Sequence, residues 1–192
     1  MDFKKTQELF GALISEGLEL DLNDPNLKDT PNRLARMYHN ELMIANTTEP
    51  PVLKTFPNDE FDEIILFDNI PYTSLCSHHF LPFQGRAWLL YIPDKELVGS
   101  SKSSRLISYF GGKPQLQEKL GMEVVNYFCK EIQPKGVMLV MRAIHGCMSC
   151  RGVKTGMQAG MTTSITRGSF RENHETRSEG MGLIHLSIMD RG

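Results

Sequence analysis

The sequence has no long apolar run, no excess of one charge and few cysteines. No stretch approaches the roughly 18 consecutive apolar residues that a membrane-spanning helix needs. Its 21 basic residues are balanced by 23 acidic ones, for a net charge of −2, which disfavours nucleic acid or a membrane surface as a partner. Because the N-terminal segment has no signal-like apolar core, we expect a cytoplasmic protein.

The sequence also lacks a disulfide framework and the common phosphate-binding motifs. The four cysteines (76, 129, 147 and 150) are too few and too unevenly spaced for a disulfide framework. In a reducing compartment, such cysteines more often bind metal or take part in chemistry. The sequence also lacks the G-x-x-x-x-G-K-[ST] phosphate loop and the G-x-G-x-x-G turn. Any nucleotide phosphates would therefore be held by side chains from separate segments.

The 192 residues, 40% of them hydrophobic, suffice for one well-packed domain. Apolar spacing predicts helices over residues 3–18, 30–45, 101–110 and 114–132. It predicts strands over residues 63–67, 72–76, 86–92, 137–144 and 162–170. The polar, glycine-containing segment after Arg171 is predicted to be loosely ordered. Helices first, followed by strands interleaved with two helices, indicate an α+β fold.

Two short motifs together form a candidate zinc site. Cys76 and His79 belong to Cys-Ser-His-His, Cys147 belongs to His-Gly-Cys, and each motif follows a predicted strand. Two thiolates and an imidazole suit zinc, and three protein ligands leave one coordination position for water, as in catalytic sites. His78 and His145 are next to these ligands in sequence and could transfer protons at that water.

A closed structural site is the main alternative. Cys147-Met-Ser-Cys150 has the same spacing as Cys76-Ser-His-His79, so four residues could form a zinc knuckle in a non-catalytic binding module. Taken singly, each cysteine could also be an ordinary core residue. Spacing alone leaves these alternatives open.

Basic residues near these motifs suggest an anion site. Lys102 and Arg105 are three apart at the start of a predicted helix, a favourable seat for phosphate. Arg33 and Arg36 share a helical face, and Arg151 directly follows the second metal motif. Each pair taken alone could equally be solvated surface charge. On the long helix, the Glu118 carboxylate could accept two hydrogen bonds from a guanine-like edge.

Five ordered segments together resemble the GTP cyclohydrolase I family. They are residues 30–38 (TPNRLARMY), 76–85 (CSHHFLPFQG), 98–105 (VGSSKSSR), 114–120 (PQLQEKL) and 145–153 (HGCMSCRGV). Five motifs in the family's order are far more specific than any one of them, and the resemblance extends over roughly residues 5–177.

The resemblance implies a T-fold, in which an antiparallel sheet carries two helices on one face. Residues 1–50 would form an N-terminal helical region and residues 51–192 the catalytic domain. It also implies a ring-shaped homo-oligomer, usually a decamer, with active sites at subunit interfaces. The reaction would open the guanine imidazole ring of GTP at C8 and give formate and 7,8-dihydroneopterin triphosphate.

The resemblance also implies roles for individual residues. Zinc would be held by residues matching Cys76, His79 and Cys147, with Cys150 outside the ligand set. His78 and His145 would shuttle protons. Glu118, together with Gln117, would bind the guanine, and Ser101 would contact the ribose. The triphosphate would be held by five basic residues: Arg33, Arg36, Lys102, Arg105 and Arg151.

The chain departs from the family pattern at two positions. Ser77 stands where family members usually have glutamate, and Ser100 stands where an apolar residue usually precedes the Ser-Lys pair. These differences motivate a further alternative, a T-fold paralogue that acts on a deoxy or modified guanosine triphosphate.

Overall fold

The computed structural model describes residues 1–156 and 158–189, and it begins with a pair of helices. Helix α1 (Phe3–Ala12) continues into a π-helical turn (Leu13–Gly17). Helix α2 (Thr30–Met37) continues through a π-helical turn (Tyr38–Leu42) and a 3-10 turn (Ile44–Asn46). The Phe10 and Tyr38 rings stack between them, with centroids 5.4 Å apart. Both N-terminal helices predicted from the sequence are confirmed.

The rest of the chain alternates strands and helices. The first part contains strands β1 (Thr55–Pro57), β2 (Ile65–Cys76), β3 (Pro82–Ile92) and β4 (Glu96–Val98). The middle contains α3 (Ser101–Gly111), β5 (Pro114–Gln115) and α4 (Gln117–Ile132). The last part contains β6 (Gly136–His145), α5 (Gly146–Ser149), β7 (Met161–Gly168), α6 (Ser169–Glu172) and α7 (His174–Met189).

Five strands form one sheet in the order β5-β2-β3-β6-β7. All neighbours are antiparallel except β2 and β5, and β1 pairs with β4 in a separate two-stranded sheet. The two strands predicted over residues 63–67 and 72–76 are one continuous strand, β2. Its register shifts between Phe67 and Ile70, where Asn69 has a left-handed φ of 50°. Asparagine tolerates that conformation, so the bulge interrupts the apolar pattern without ending the strand.

Helices α3 and α4 cover one face of the sheet. Apolar residues of α4 recur every three or four positions and meet the alternating inward residues of the central strands. This core contains Leu106, Ile107, Leu120, Val124, Val125 and Phe128 of the helices and Phe83, Ala87, Leu89, Tyr91, Val137, Leu139 and Met141 of the strands. The α+β class is confirmed, and an antiparallel-rich sheet carrying two helices on one face is consistent with a T-fold.

The opposite face is partly covered by the C-terminal helix α7. Ile184 packs with Phe170, Trp88 and their neighbours in a second buried cluster. The prediction of a loosely ordered tail after Arg171 is therefore wrong. At Gly180 a β-carbon would lie only 2.9 Å from the Phe170 ring, so this glycine allows α7 to approach closely. No helix among the described residues is both long enough and apolar enough to cross a bilayer.

Candidate active site

The turn between β2 and β3 positions the first metal motif. Cys76 is the last residue of β2, and its carbonyl accepts a hydrogen bond from the Phe80 N–H at 2.9 Å. The Cys76 N–H donates to the Leu81 carbonyl, also at 2.9 Å, which closes the turn from both sides. Phe80 takes a left-handed φ of 52° to complete it. Ser77 and His79 are thereby held on an exposed loop directly beside the buried Cys76.

The second motif follows β6, the neighbour of β3. His145 ends β6 opposite Phe83 of β3, and α5 begins at once with Gly146 and Cys147. A β-carbon on Gly146 would lie 2.8 Å from the Pro82 carbonyl oxygen. Only glycine fits this close approach, which brings Cys147 against the start of β3 and next to the β2–β3 turn.

The three predicted ligands lie together. The side-chain ligand atoms of Cys76, His79 and Cys147 are all within 4.8 Å of one another. Zinc bonds of about 2.3 Å to sulfur and about 2.1 Å to nitrogen place tetrahedral ligand atoms roughly 3.5–3.8 Å apart, so small side-chain adjustments suffice. This donor set fits zinc. Cys150 is not in the group, and its exposed thiol donates instead to the Gly146 carbonyl at 2.9 Å.

The pKa of the Cys147 thiol depends on the neighbouring residues of this group. Burial raises the pKa of the Cys147 thiol, and the hydrogen bond and charge of Cys76 raise it further. The positive charge of Arg151 acts in the opposite direction and lowers the pKa. Two facing thiols favour their protonated forms, whereas a divalent cation between them favours thiolates. Arg151 is thus close enough to act on the metal group electrostatically.

A cavity of about 160 Å³ adjoins the metal group. It is bounded by Cys76, His78, Gln115, Leu116, Gln117, Glu118, His145, Cys147 and Met161. The short parallel pairing of Cys76 with Gln115 holds the start of α4 at this site, and the Ser77 N–H donates to the Gln115 carbonyl at 3.4 Å. Glu118, in the first turn of α4, is exposed at the cavity. A carboxylate and two histidines therefore face the same space as the metal group.

His145 is held by two neighbours. Its ring stacks on Phe83, with centroids 4.5 Å apart and planes inclined by 5°. Its Nε2 lies 3.0 Å from the Gln117 side-chain oxygen. Burial lowers the pKa of His145, and the nearby Glu118 charge only partly offsets this. Burial therefore favours the neutral imidazole, the form that can accept a proton.

The Gln117 side chain is completely buried. Its amide nitrogen lies within hydrogen-bond distance of three acceptors, the Met141 and Met161 carbonyls, both at 3.2 Å, and the Thr163 hydroxyl oxygen at 3.0 Å, which share its two hydrogens. Sequence reasoning missed Phe83 and Thr163 as neighbours of this site. Their proximity depends on the pairing of β3, β6 and β7, and no local motif signals that pairing.

The other predicted substrate-binding residues lie elsewhere on the chain. Arg105 borders a separate groove with Pro71 and Tyr109, and Arg33 and Arg36 border another with Lys28. Of the described residues around the metal-side cavity, none is among Ser101, Lys102, Arg105, Arg33 and Arg36. The divergent Ser100 precedes α3, where its carbonyl accepts from the Ser103 hydroxyl at 3.1 Å. The chain thus brings together the residues predicted to bind metal and to transfer protons, but not most of the predicted basic ones.

Comparisons with known proteins agree with one family. A sequence model described as GTP cyclohydrolase I matches residues 7–185. The chain is 40% identical over 173 residues to GTP cyclohydrolase 1 of Sulfurihydrogenibium sp. (strain YO3AOP1), covering 90% of each chain. It is 38% identical over 184 residues to GTP cyclohydrolase 1 of Carboxydothermus hydrogenoformans, covering 94% of each.

A solved structure is similar over a smaller part of the chain. The apo form of the archaeosine synthase QueF-Like aligns with 62% of this chain and 97% of its own, at 12% identity and a TM-score of 0.39. The family match and the relatives cover almost the whole sequence, including both metal motifs. The chain therefore belongs to the GTP cyclohydrolase I family of hydrolytic enzymes.

Proposed function

We propose that this protein is a zinc-dependent GTP cyclohydrolase I. It would hydrolyse the guanine imidazole ring of GTP at C8 and release formate and 7,8-dihydroneopterin triphosphate. The observation that carries the proposal is the close group of Cys76, His79 and Cys147 at a cavity that also contains Glu118 and His145. A Cys2His donor set with adjacent general bases is typical of catalytic rather than structural zinc.

Cys76, His79 and Cys147 would hold the metal. When bound, zinc would supply Lewis acidity that makes water a nucleophile near neutral pH. His145, neutral because of its burial, would accept a proton, and His78 at the same cavity would transfer protons during ring opening and loss of formate.

Glu118 would orient the substrate. Its exposed carboxylate in the first turn of α4 can accept two hydrogen bonds from the N–H groups on the guanine edge. Arg151, close enough to Cys147 to influence its pKa, would bind the triphosphate. Both groups would hold C8 beside the metal group, where productive geometry contributes strongly to the rate.

We infer that the remaining basic residues reach the site from a second copy of the chain. Lys102 and Arg105 are exposed or half-exposed at the start of α3, and they are absent from the border of the metal-side cavity. In a ring oligomer, such as the decamer implied by the resemblance, heterologous contacts bring different surfaces of neighbouring copies together. Ser101, Lys102 and Arg105 of one copy would then complete the site of the next. Arg33 and Arg36 would add positive charge, and the assembly would be cytoplasmic.

A GTP assay with and without metal tests the proposal. Addition of GTP should produce formate and a new pteridine fluorescence, a chelator should abolish both, and zinc should restore both. Fluorescence that is unchanged after complete removal of metal would contradict zinc dependence. Zinc-loaded protein that gives neither product would contradict the cyclohydrolase activity itself.

The alternative substrates can be separated in the same assay. Ser77 is exposed in the turn between two metal ligands, where a family glutamate is missing, so base selection could differ. Turnover of dGTP or a base-modified analogue well above that of GTP would favour the paralogue. A non-catalytic four-ligand module requires Cys150 to bind metal, and the hydrogen bond of its thiol to Gly146 argues against that role.

A further inference from the structure

The geometry points to Gln117 as a positioning residue that sets which ring nitrogen of His145 carries the proton, rather than as a contact to the guanine. This inference rests on the proposed function for its catalytic meaning, but the hydrogen-bond network is independent of the substrate. Gln117 is the first residue of α4 and its side chain is fully buried. Both ends of its amide already have protein partners.

The network leaves the amide only one orientation. The nitrogen end of Gln117 faces two backbone carbonyl oxygens, of Met141 and Met161, which can only accept hydrogen bonds. The Thr163 hydroxyl oxygen provides a third acceptor at 3.0 Å. Rotating the amide by 180° would set its oxygen against those carbonyls, acceptor against acceptor, and would turn its hydrogens away from them. The amide oxygen must therefore face His145.

This orientation determines the tautomer of His145. Since the Gln117 oxygen is an acceptor only, the His145 Nε2 at 3.0 Å must carry a hydrogen and donate it. Nδ1 is then the only ring nitrogen that can take up or release a proton. Stacking on Phe83 at 4.5 Å resists rotation of the ring. The Nε2–H bond to Gln117 and the stacking on Phe83 therefore hold the ring, and with it Nδ1, in one orientation.

The hydrogen bonds of Gln117 also connect the candidate active site to the central sheet. Met141 and Thr163 are paired residues of β6 and β7, and Met161 is two residues from Thr163. Gln117 therefore joins the first turn of α4 to two strands, while Glu118, the next residue, remains exposed at the cavity. Adjacent residues thus have separate tasks, one turned to the protein interior and one to the substrate.

Nitrogen-15 NMR of the histidine rings in the zinc-loaded protein tests the inference directly. We expect the neutral His145 ring in the unaltered protein to be the Nε2–H tautomer. Gln117→Met, of similar size, should lose that preference and lower kcat about 100-fold with KM for GTP within twofold, since general acid–base catalysis typically contributes 10²–10⁴. Thr163→Val should lower kcat only a few-fold, because two carbonyls still orient the amide. Exposed Gln84→Met on β3 is the control and should match the unaltered enzyme.

Two results would overturn the inference. One is an Nδ1–H tautomer of His145 in the unaltered protein, which needs no variant and is informative even if Gln117→Met does not fold. The other is a Gln117→Met enzyme with raised KM for GTP, unchanged kcat and an unchanged His145 signal, as expected if Gln117 contacts the base. Failure of the proposed function is distinguishable, because the tautomer can be read in protein that forms no pteridine.

Discussion

The metal side and the basic side of the site are built differently. The metal ligands and His145 lie at or just after the ends of β2 and β6, which pair with β3 on its two sides. Arg105 is on α3 and Arg33 is on α2, each at a separate groove. One chain thus brings together the residues proposed for bond making and breaking, whereas most of the basic residues proposed to bind the triphosphate lie on other surfaces.

The physical demands on the two sets explain the contrast. A metal or proton-transfer site requires positions accurate to about 0.5 Å, which rigid strands with supporting hydrogen bonds can provide. Phosphate attraction acts over the screening length of about 8–10 Å and tolerates flexible side chains. Charge can therefore be contributed by a neighbouring copy. The comparison predicts large, local effects from changes on the metal side and smaller or shared effects from changes on the basic side.

The largest effect is expected for Cys147→Ser. Loss of one of two thiolate ligands should remove most bound zinc and reduce GTP turnover by at least about 100-fold, since even the loss of groups behind metal ligands costs 10–100-fold. Metal analysis and the formate assay measure both. Cys150→Ser is the matched control, because Cys150 is exposed and outside the ligand group. Equal zinc loss in the two variants would favour a four-ligand site and would contradict the assignment of Cys150 as a residue that does not bind the metal.

A smaller loss is expected for Glu118→Gln. The amide keeps one acceptor but presents hydrogens to the guanine N–H groups, and hydrogen bonds to charged groups contribute about 1.5–3 kcal/mol, so kcat/KM should fall roughly 10- to 100-fold. Zinc content and thermal stability should not change, because Glu118 is exposed. The control is Glu175→Gln, an exposed carboxylate on α7. If Glu118→Gln is as active as this control, Glu118 does not bind the guanine edge.

Mixing two impaired variants tests whether the metal side and the basic side of one site come from different copies. Cys147→Ser and Arg105→Ala subunits, unfolded together and refolded at equal amounts, should regain activity, because random assembly gives about a quarter of the sites both intact halves. Each variant refolded alone is the baseline. Activity of the mixture no higher than the mean of the two baselines would show that both residues serve the site within one chain.

The smallest effect is expected for Arg33→Ala. This arginine borders a solvent-exposed groove between α1 and α2, and exposed charge interactions are worth about 0.2–1 kcal/mol, so KM for GTP should rise roughly 2- to 5-fold. The increase should shrink at high salt. Lys28→Ala, in the same groove, is the matched control. Equal effects of both substitutions would mean that general positive charge, rather than Arg33, attracts the nucleotide.

Sequence patterns predicted the elements whose stability is local or strongly periodic. Helix α4 was predicted over residues 114–132 and spans Gln117–Ile132, since Leu120, Val124 and Phe128 recur on one buried face. The strand predicted over residues 137–144 is β6, and its apolar run marks a buried central strand. The predicted ligand residues also lie together, because each motif follows a strand of the same sheet.

Other features depended on contacts between distant segments. Helix α7 was missed because Gly180 and Gly182 lower helix propensity by about 1 kcal/mol each, which the packing of Ile184 and Phe170 against the second face of the sheet offsets. Gln117 and Glu118 are adjacent and both polar, and nothing local distinguishes a buried amide from an exposed carboxylate.

The sequence by itself determined the two N-terminal helices, α3, α4 and the long strands of the central sheet, the α+β class and the three residues that suit zinc, because these follow from periodicity and from ligand chemistry. The tertiary structure alone decided that the Cys150 thiol bonds to the Gly146 carbonyl, that the Gln117 side chain lies within hydrogen-bond distance of His145 and that the arginines of α2 and α3 lie apart from the metal group. The physical reason is that strand pairing and helix packing determine distances between residues far apart in sequence, and the hydrogen-bond partners of buried polar groups depend on those distances.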